Sequence, residues 1–173
     1  MEPFIPGIEV RVASKKDLWQ VLELANRIFP AAYREILVPE QIDYMMHMMY
    51  REDILSAEMD SGHQFLIIYY QGKAAGYASY SRLASGSMYK LHKIYLDNRL
   101  QGRGLGKWLL MDVLYRVKAA GGEFLRLNVN RHNKARGFYE NMGFSIVREE
   151  KLDIGGGYYM DDLIMEIRLT PNA

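Results

Sequence analysis

The chain has no cysteine among its 173 residues. This excludes a disulfide framework, a thiolate nucleophile and a Cys-ligated metal, and it suits a reducing compartment. Net charge is nearly absent as well: 22 Lys and Arg stand against 21 Asp and Glu, a formal charge of +1. A general nucleic-acid binder usually carries a marked basic excess, so no nucleic-acid partner is expected. Long apolar runs are missing too. The most apolar stretch, Phe65 to Tyr70, is six residues, against the ~20 that a membrane-spanning helix needs, so no membrane partner is expected. The opening Met1-Glu2-Pro3-Phe4-Ile5-Pro6 has neither the basic start nor the apolar stretch of a secretion signal. Together these features predict a cytoplasmic protein, a monomer or a homodimer, built as a single domain over 1-173. Such a chain can bury roughly 70% of its unfolded surface.

The charge that is present is unevenly placed. Residues 1–60 hold 6 Lys and Arg against 11 Asp and Glu, net −5, while residues 90–136 hold 11 against 3, net +8. Either solvated faces fell this way, or the central segment meets an anion and the early segment a cation.

Apolar spacing predicts the elements. Ile8 to Ala13 alternates as a strand. Ser14 with Asp17 three residues on forms a variant capping box, and Leu18, Val21, Leu22, Ala25 and Phe29 then fall at helical spacing until Pro30 is expected to stop them. A second helix opens at Pro39, with Ile42, Met45, Met46 and Met49 on one side as packing residues. A short helix over 51–60 is ended by Gly62. Residues 65–70 and 74–83 flank Gln71-Gly72-Lys73 as a hairpin, and 88–96 is a third strand. Helix 104–120 carries Leu105, Leu109, Val113 and Val117 at near-four spacing. Strand 124–129, helix 133–142 and strands 144–152 and 160–169 follow. The fold class is thus α/β, one mixed sheet with helices on both faces, its middle strand–helix–strand unit making a parallel pair.

Between the strand ending at Leu96 and the helix near Gly104 lies Gln101-Gly102-Arg103-Gly104-Leu105-Gly106-Lys107. Glycines allow a sharp turn and a close backbone approach, and the helix start offers free N–H groups. Arg103 and Lys107 add charge, so a pyrophosphate suits the loop; a plain strand-to-helix turn is the alternative. The dinucleotide fingerprint fails at its last position, which is Lys107 or Leu109 according to the starting glycine, and the nucleotide P-loop fails because Trp108 follows Gly106-Lys107.

Gln101-x-x-Gly104-x-Gly106 resembles the central signature of the GCN5-related N-acetyltransferases. Asn133-x-Ala135-x-x-Phe138-Tyr139-Glu140-x-x-Gly143-Phe144, which starts 27 residues beyond Gly106, resembles the family's second motif. The resemblance spans nearly the whole chain. It implies the family's acyl-CoA N-acyltransferase fold, with a splay between strands 88-96 and 124-129 where acetyl-CoA sits. It further implies backbone pairing of the pantetheine arm at the Ile94-Tyr95-Leu96 strand end, pyrophosphate binding by the loop from Gln101 to Lys107, and a contact from Asn133. Lys134 and Arg136 stand near enough in sequence to meet the coenzyme's 3′-phosphate or simply to face solvent.

An amine attacks a thioester only as the free base, whereas alkyl amines are mostly protonated at pH 7. The tetrahedral oxyanion needs a donor, for which the resemblance implies a backbone N–H near Ile94. The thiolate needs a proton, and Tyr139 matches the family's general acid; a phenol is protonated at neutral pH. The base is left open; His92 is one candidate, since it lies two residues before Ile94 and regular alternation puts both on one face, and hydrogen-bonded filler is its alternative role. Glu35 and Asp161, or an acid acting through water, are the other options. No His, Asp or Glu grouping has metal-ligand spacing, so no metal is expected.

The resemblance implies that the acceptor approaches between the early helices and the last hairpin, where Tyr33, Glu35, Tyr159 and Asp161 are the expected acceptor-site residues; acids and aromatic faces there suit a cation. Tyr158-Tyr159-Met160-Asp161-Asp162 and the ring-rich 65–70 strand resemble bacterial spermidine/spermine acetyltransferases. A polyamine or another small cationic amine is thus the first acceptor to consider, a protein or peptide amino group the second. A catalytically idle acyl-CoA-binding protein, or a structural protein that binds no coenzyme, remain as alternatives of another class.

Overall fold

A computed structural model describes residues 6–84 and 86–169. The amino-terminal residues 1–5, which bear on the secretion signal, lie outside them. Among the described residues, seven strands form one sheet: β1 (Ile8–Ala13), β2 (Gln64–Tyr70), β3 (Lys73–Arg82), β4 (Met88–Leu96), β5 (Phe124–Asn130), β6 (Ser145–Gly155) and β7 (Tyr158–Arg168). Their order is β1-β2-β3-β4-β5-β7-β6. Only β4 and β5 pair in parallel; the remaining neighbours are antiparallel.

Helices α1 (Leu18–Tyr33), α2 (Pro39–Met49) and α3 (Glu52–Asp60) precede β2, while α4 (Leu105–Ala119) and α5 (Ala135–Asn141) flank β5. Two apolar cores separate them across the sheet. Leu66, Ile68 and Ala78 pack with Leu109, Leu110, Val113 and Val117 of α4. Phe65, Ile67 and Tyr77 pack with Val21, Phe29 and Met45 of α1 and α2. The 65–70 run is continuously apolar because both of its faces are buried. Each of these side chains, once fully buried, contributes about 1.5–3 kcal/mol.

Pro30 does not stop α1, which runs on to Tyr33. An internal proline costs about 3 kcal/mol. Burial of Phe29 and Tyr33 in one aromatic cluster, ring centroids 4.7 Å apart, offsets that cost. The Ser14–Asp17 box forms as expected, the Asp17 carboxylate accepting the Ser14 N–H at 2.8 Å, but it closes a short 3₁₀ turn ahead of α1. The last two strands are longer than their alternation suggests. Gly155 pairs with Tyr158, so the loop is only Gly156 and Gly157, both at positive φ, the geometry of a two-residue hairpin turn.

Candidate active site

The β4–β5 ladder holds for four residue pairs, from Met88↔Phe124 to Leu91↔Leu127, and then stops. Beyond it β4 stays on β3 as far as Leu96, and β5 stays on β7 as far as Asn130. The strands therefore part, as the splay expected between them requires. The Asp97 N–H donates to Ala75 at 2.8 Å, toward β3. Alternation along the strand turns the amide groups of Leu96 and Ile94 the other way, into the gap.

A bulge lies where the strands divide. Lys93 faces Ser79 and Leu91 faces Tyr80, which leaves His92 unmatched. Regular alternation is therefore broken, and His92 does not share a face with Ile94. Ile94 packs against the α4 side. His92 lies with α3: its Nε2 is 2.6 Å from Ser81 Oγ and its ring stacks on His63 at 4.2 Å. Burial, then the neighbouring charges of His63 and the lysines, lowers it to about 3. Lys93 is buried beside it and donates to Glu58 at 3.0 Å.

A cavity of about 920 Å³ fills the gap. The loop from Gln101 lines it through Gly102, Gly104, Leu105, Gly106 and Lys107, and so do Ile94, Tyr95, Leu96, Asn133 and Tyr139. Gly104 has φ +74°, left-handed backbone that only glycine adopts cheaply. The first bond inside α4 runs from Trp108 N–H to the Gly104 carbonyl at 2.9 Å. The amides of Leu105, Gly106 and Lys107 thus precede the ladder and are available to an anion. A Cβ added at Gly102 or Gly104 would meet nothing within 4 Å. These features fit a diphosphate held by main chain.

Arg103, expected on that anion, lines a neighbouring hollow instead. Its guanidinium sits 5.3 Å over the Tyr70 ring and donates to the Tyr70 hydroxyl at 3.2 Å. Much of the central positive charge is likewise engaged: Arg99 with Asp97, Arg126 with Glu166, Arg131 with Asp161, Arg136 with Glu140. Lys107 and Lys134 do line the cavity. Asn133 Oδ1 accepts the Ala135 N–H at 2.9 Å, opening α5, so its amide nitrogen is the part left for a ligand.

Tyr139 is buried against Phe138 and Phe144. Burial, then the nearby Tyr33, pushes its hydroxyl well above the usual phenol range, so it stays protonated at neutral pH. Tyr33 and the exposed Glu35 line the same cavity, and the Tyr33 hydroxyl lies 3.0 Å from that of Tyr95. The other two expected acceptor residues are not brought there. Tyr159 lies under Lys151, 4.9 Å from its ring centroid, and its carbonyl accepts from Gln41 at 2.8 Å. Asp161 pairs with Arg131 at 3.0 Å. Asn128, unforeseen, does line the cavity, one residue beyond the last β4–β5 pair. A polar residue on the strand face where pairing ends was the available signal. Among the described residues, no group of three or more His, Cys, Asp or Glu gathers as metal ligands would. No helix there is long and apolar enough to cross a membrane.

A parted mixed sheet with a glycine-rich helix start beside the gap defines a binding site for an acyl-coenzyme A. The family described as Acetyltransferase (GNAT) domain matches residues 34–156. An N-acetyltransferase of Lactobacillus delbrueckii subsp. lactis, encoded in the pepI 3′ region and uncharacterised, is 25% identical over 166 residues, covering 91% of this chain and 96% of its own. The L-methionine sulfoximine/L-methionine sulfone acetyltransferase of Salmonella typhimurium is 25% identical over 117 residues, 65% of this chain and 68% of its own. The PaiA N-acetyltransferase of Thermoplasma acidophilum, solved in complex with coenzyme A, has a TM-score of 0.78 at 26% identity, covering 93% and 98%. The chain belongs to the GNAT family and is an acetyl-CoA-dependent N-acetyltransferase.

Proposed function

We propose that this enzyme acetylates the primary amino group of a small cationic amine, a polyamine first among them, by direct attack on the thioester. One cavity is lined both by the glycine loop and by Tyr139, Tyr33 and Glu35, and this carries the proposal. The loop amides and Lys107 hold the diphosphate. The amide groups of Ile94 and Leu96 take the pantetheine arm as a substitute strand, with help from the Asn133 amide nitrogen. The Ile94 N–H faces the carbonyl oxygen as negative charge develops on it.

The acceptor arrives as an ammonium and loses one proton before attack. His92 also lines this cavity, but burial holds its imidazole far below the usual range, at about 3, so we assign the base to Glu35, directly or through a water. The nitrogen then bonds to the acetyl carbon, the carbon–sulfur bond breaks, and the Tyr139 hydroxyl gives its proton to the sulfur. The second proton lost from nitrogen restores Tyr139. Aromatic faces and Glu35 suit a cation better than a neutral alcohol or an anion.

Thiol release from acetyl-CoA, followed over a panel of amines, tests this. Spermidine, spermine, simple alkyl amines, methionine sulfoximine and a peptide with a free amino terminus make up the panel. Turnover highest on the small polycations is the expected result. Turnover confined to the peptide would move the acceptor to protein amino groups, and coenzyme binding without turnover on any member would leave an idle binding module.

A further inference from the structure

Where β5 leaves β4, a polar cluster on β5, β6 and β7 has no role in the chemistry above. The Asn128 amide nitrogen donates to Glu150 Oε2 at 3.2 Å and to Asp162 Oδ2 at 3.4 Å. A carboxylate only accepts, so the nitrogen of Asn128 must face the two acids and its carbonyl oxygen must face away from them. Asn128 lines the cavity, and among the described residues that carbonyl oxygen takes no hydrogen bond.

The charge here is unbalanced. Neighbouring acids have cations: Asp161 and Glu149 share Arg131, and Glu166 has Arg126. Among the described residues, neither Glu150 nor Asp162 forms an ion pair. Asp162 is only 5% exposed, and its Oδ1 has no hydrogen-bond partner. Burial first of all raises its carboxyl; the Asn128 hydrogen bond opposes this, Glu150 and Asp161 add to it, and Lys90 on β4 lowers it least. A buried carboxylate with one oxygen unpartnered and no counter-charge is costly, and natural proteins keep few of them without a reason. A cation arriving at the Asn128 oxygen would supply what is missing.

We infer that Asn128, Glu150 and Asp162 form the subsite for the acceptor's ammonium group. The Asn128 carbonyl oxygen makes the direct contact. Glu150 and Asp162 are positioning residues: they fix the amide's orientation and supply negative charge from behind it. The subsite selects protonated primary amines over neutral isosteres of the same size. It rests on the amine-acetyltransferase proposal and names the groups that receive the amine.

Calorimetry of the protein saturated with coenzyme A, titrated with butylamine, spermidine and the neutral isostere pentane, tests it directly. Asp162→Asn and Glu150→Gln keep the shape and remove the charge. Each should weaken amine binding about tenfold or more while coenzyme A affinity stays within twofold, and pentane should show no preference between variants. Glu150 lies nearer the surface, so Glu150→Gln keeps the question answerable should Asp162→Asn fail to fold. Where amines turn over, the loss should appear in KM rather than kcat. Equal amine affinity in wild type and the folded variants, or no amine binding by wild type, overturns the subsite. Normal amine sensitivity to both variants without acetyl transfer would instead remove the proposed reaction and leave the subsite standing.

Discussion

Replacing Gly104 with alanine separates backbone strain from crowding at the coenzyme loop. Gly104 sits at φ +74°, ψ 11°, where an L-residue costs roughly 1–2 kcal/mol. For a protein of this size, 1 kcal/mol moves Tm by about 2–4 °C, so Gly104→Ala should melt about 2–8 °C lower. No protein atom lies within 4 Å of the new methyl, so none of that loss comes from overpacking. The methyl would stand in the open space beside the loop, and if the diphosphate lies there as proposed, coenzyme A affinity should fall about tenfold, roughly 1.4 kcal/mol. Gly106→Ala is the matched control. It lies in the first turn of α4 without positive φ, and its added Cβ makes ordinary contacts at 3.8 Å with Leu96 and Phe138. Alanine favours a helix over glycine by about 0.5–1 kcal/mol, so the control should melt at or above wild type. Differential scanning fluorimetry and calorimetry with coenzyme A give both numbers. Gly104→Ala with unchanged Tm and unchanged affinity would refute the strained loop and its ligand together.

Three further outcomes are expected. Tyr139→Phe should lower kcat about 10²- to 10⁴-fold with coenzyme A binding nearly intact, as loss of a sole proton donor requires; normal kcat with a weakened Kd would transfer Tyr139 to binding. The KM for a cationic amine should rise as salt is raised from low to physiological strength, because exposed charges are screened, and a flat profile would indicate an uncharged acceptor. Asp97 ties Arg99 and Arg27 at 2.7 and 3.0 Å, and the Arg99 bond first of all holds its carboxyl below the ordinary range. A depressed acid stabilises above its unfolded value, so that contribution should vanish as pH falls below about 4 in denaturant titrations, and Asp97→Asn should flatten the loss.

Most elements were legible because their apolar periods are uninterrupted. Leu105, Leu109, Val113 and Val117 mark the face that α4 buries, and Gln71-Gly72 announces its hairpin. Legibility failed where a tertiary contact overrides a local rule. Pro30 is carried by the burial of Tyr33, which only the folded sheet supplies. His92 was placed with Ile94 by a two-residue period, and one unmatched residue breaks that period without any mark in the composition. The cavity's loop residues could be found from their glycines and the motif around them. Asp161 could not be told from Asp162, since adjacent strand residues point to opposite faces and both are acids; only the partners, Arg131 for one and the Asn128 amide for the other, separate them. The net +8 segment overstated the field because acids outside it engage several of its cations: Glu58 takes Lys93, Glu166 Arg126, Asp161 Arg131 and Glu140 Arg136.

The strand β7 comes after all the others in the chain, yet it lies inside the sheet, between β5 and β6. Until it inserts, β5 has only four paired positions on β4 and an open edge carrying Leu125, Leu127 and Val129. Unpaired apolar edges of this kind invite association between chains. A ribosome-bound chain that has not yet released β7 would expose this edge and have no finished cleft, so catalytic competence and protection from aggregation should arrive together when β7 inserts.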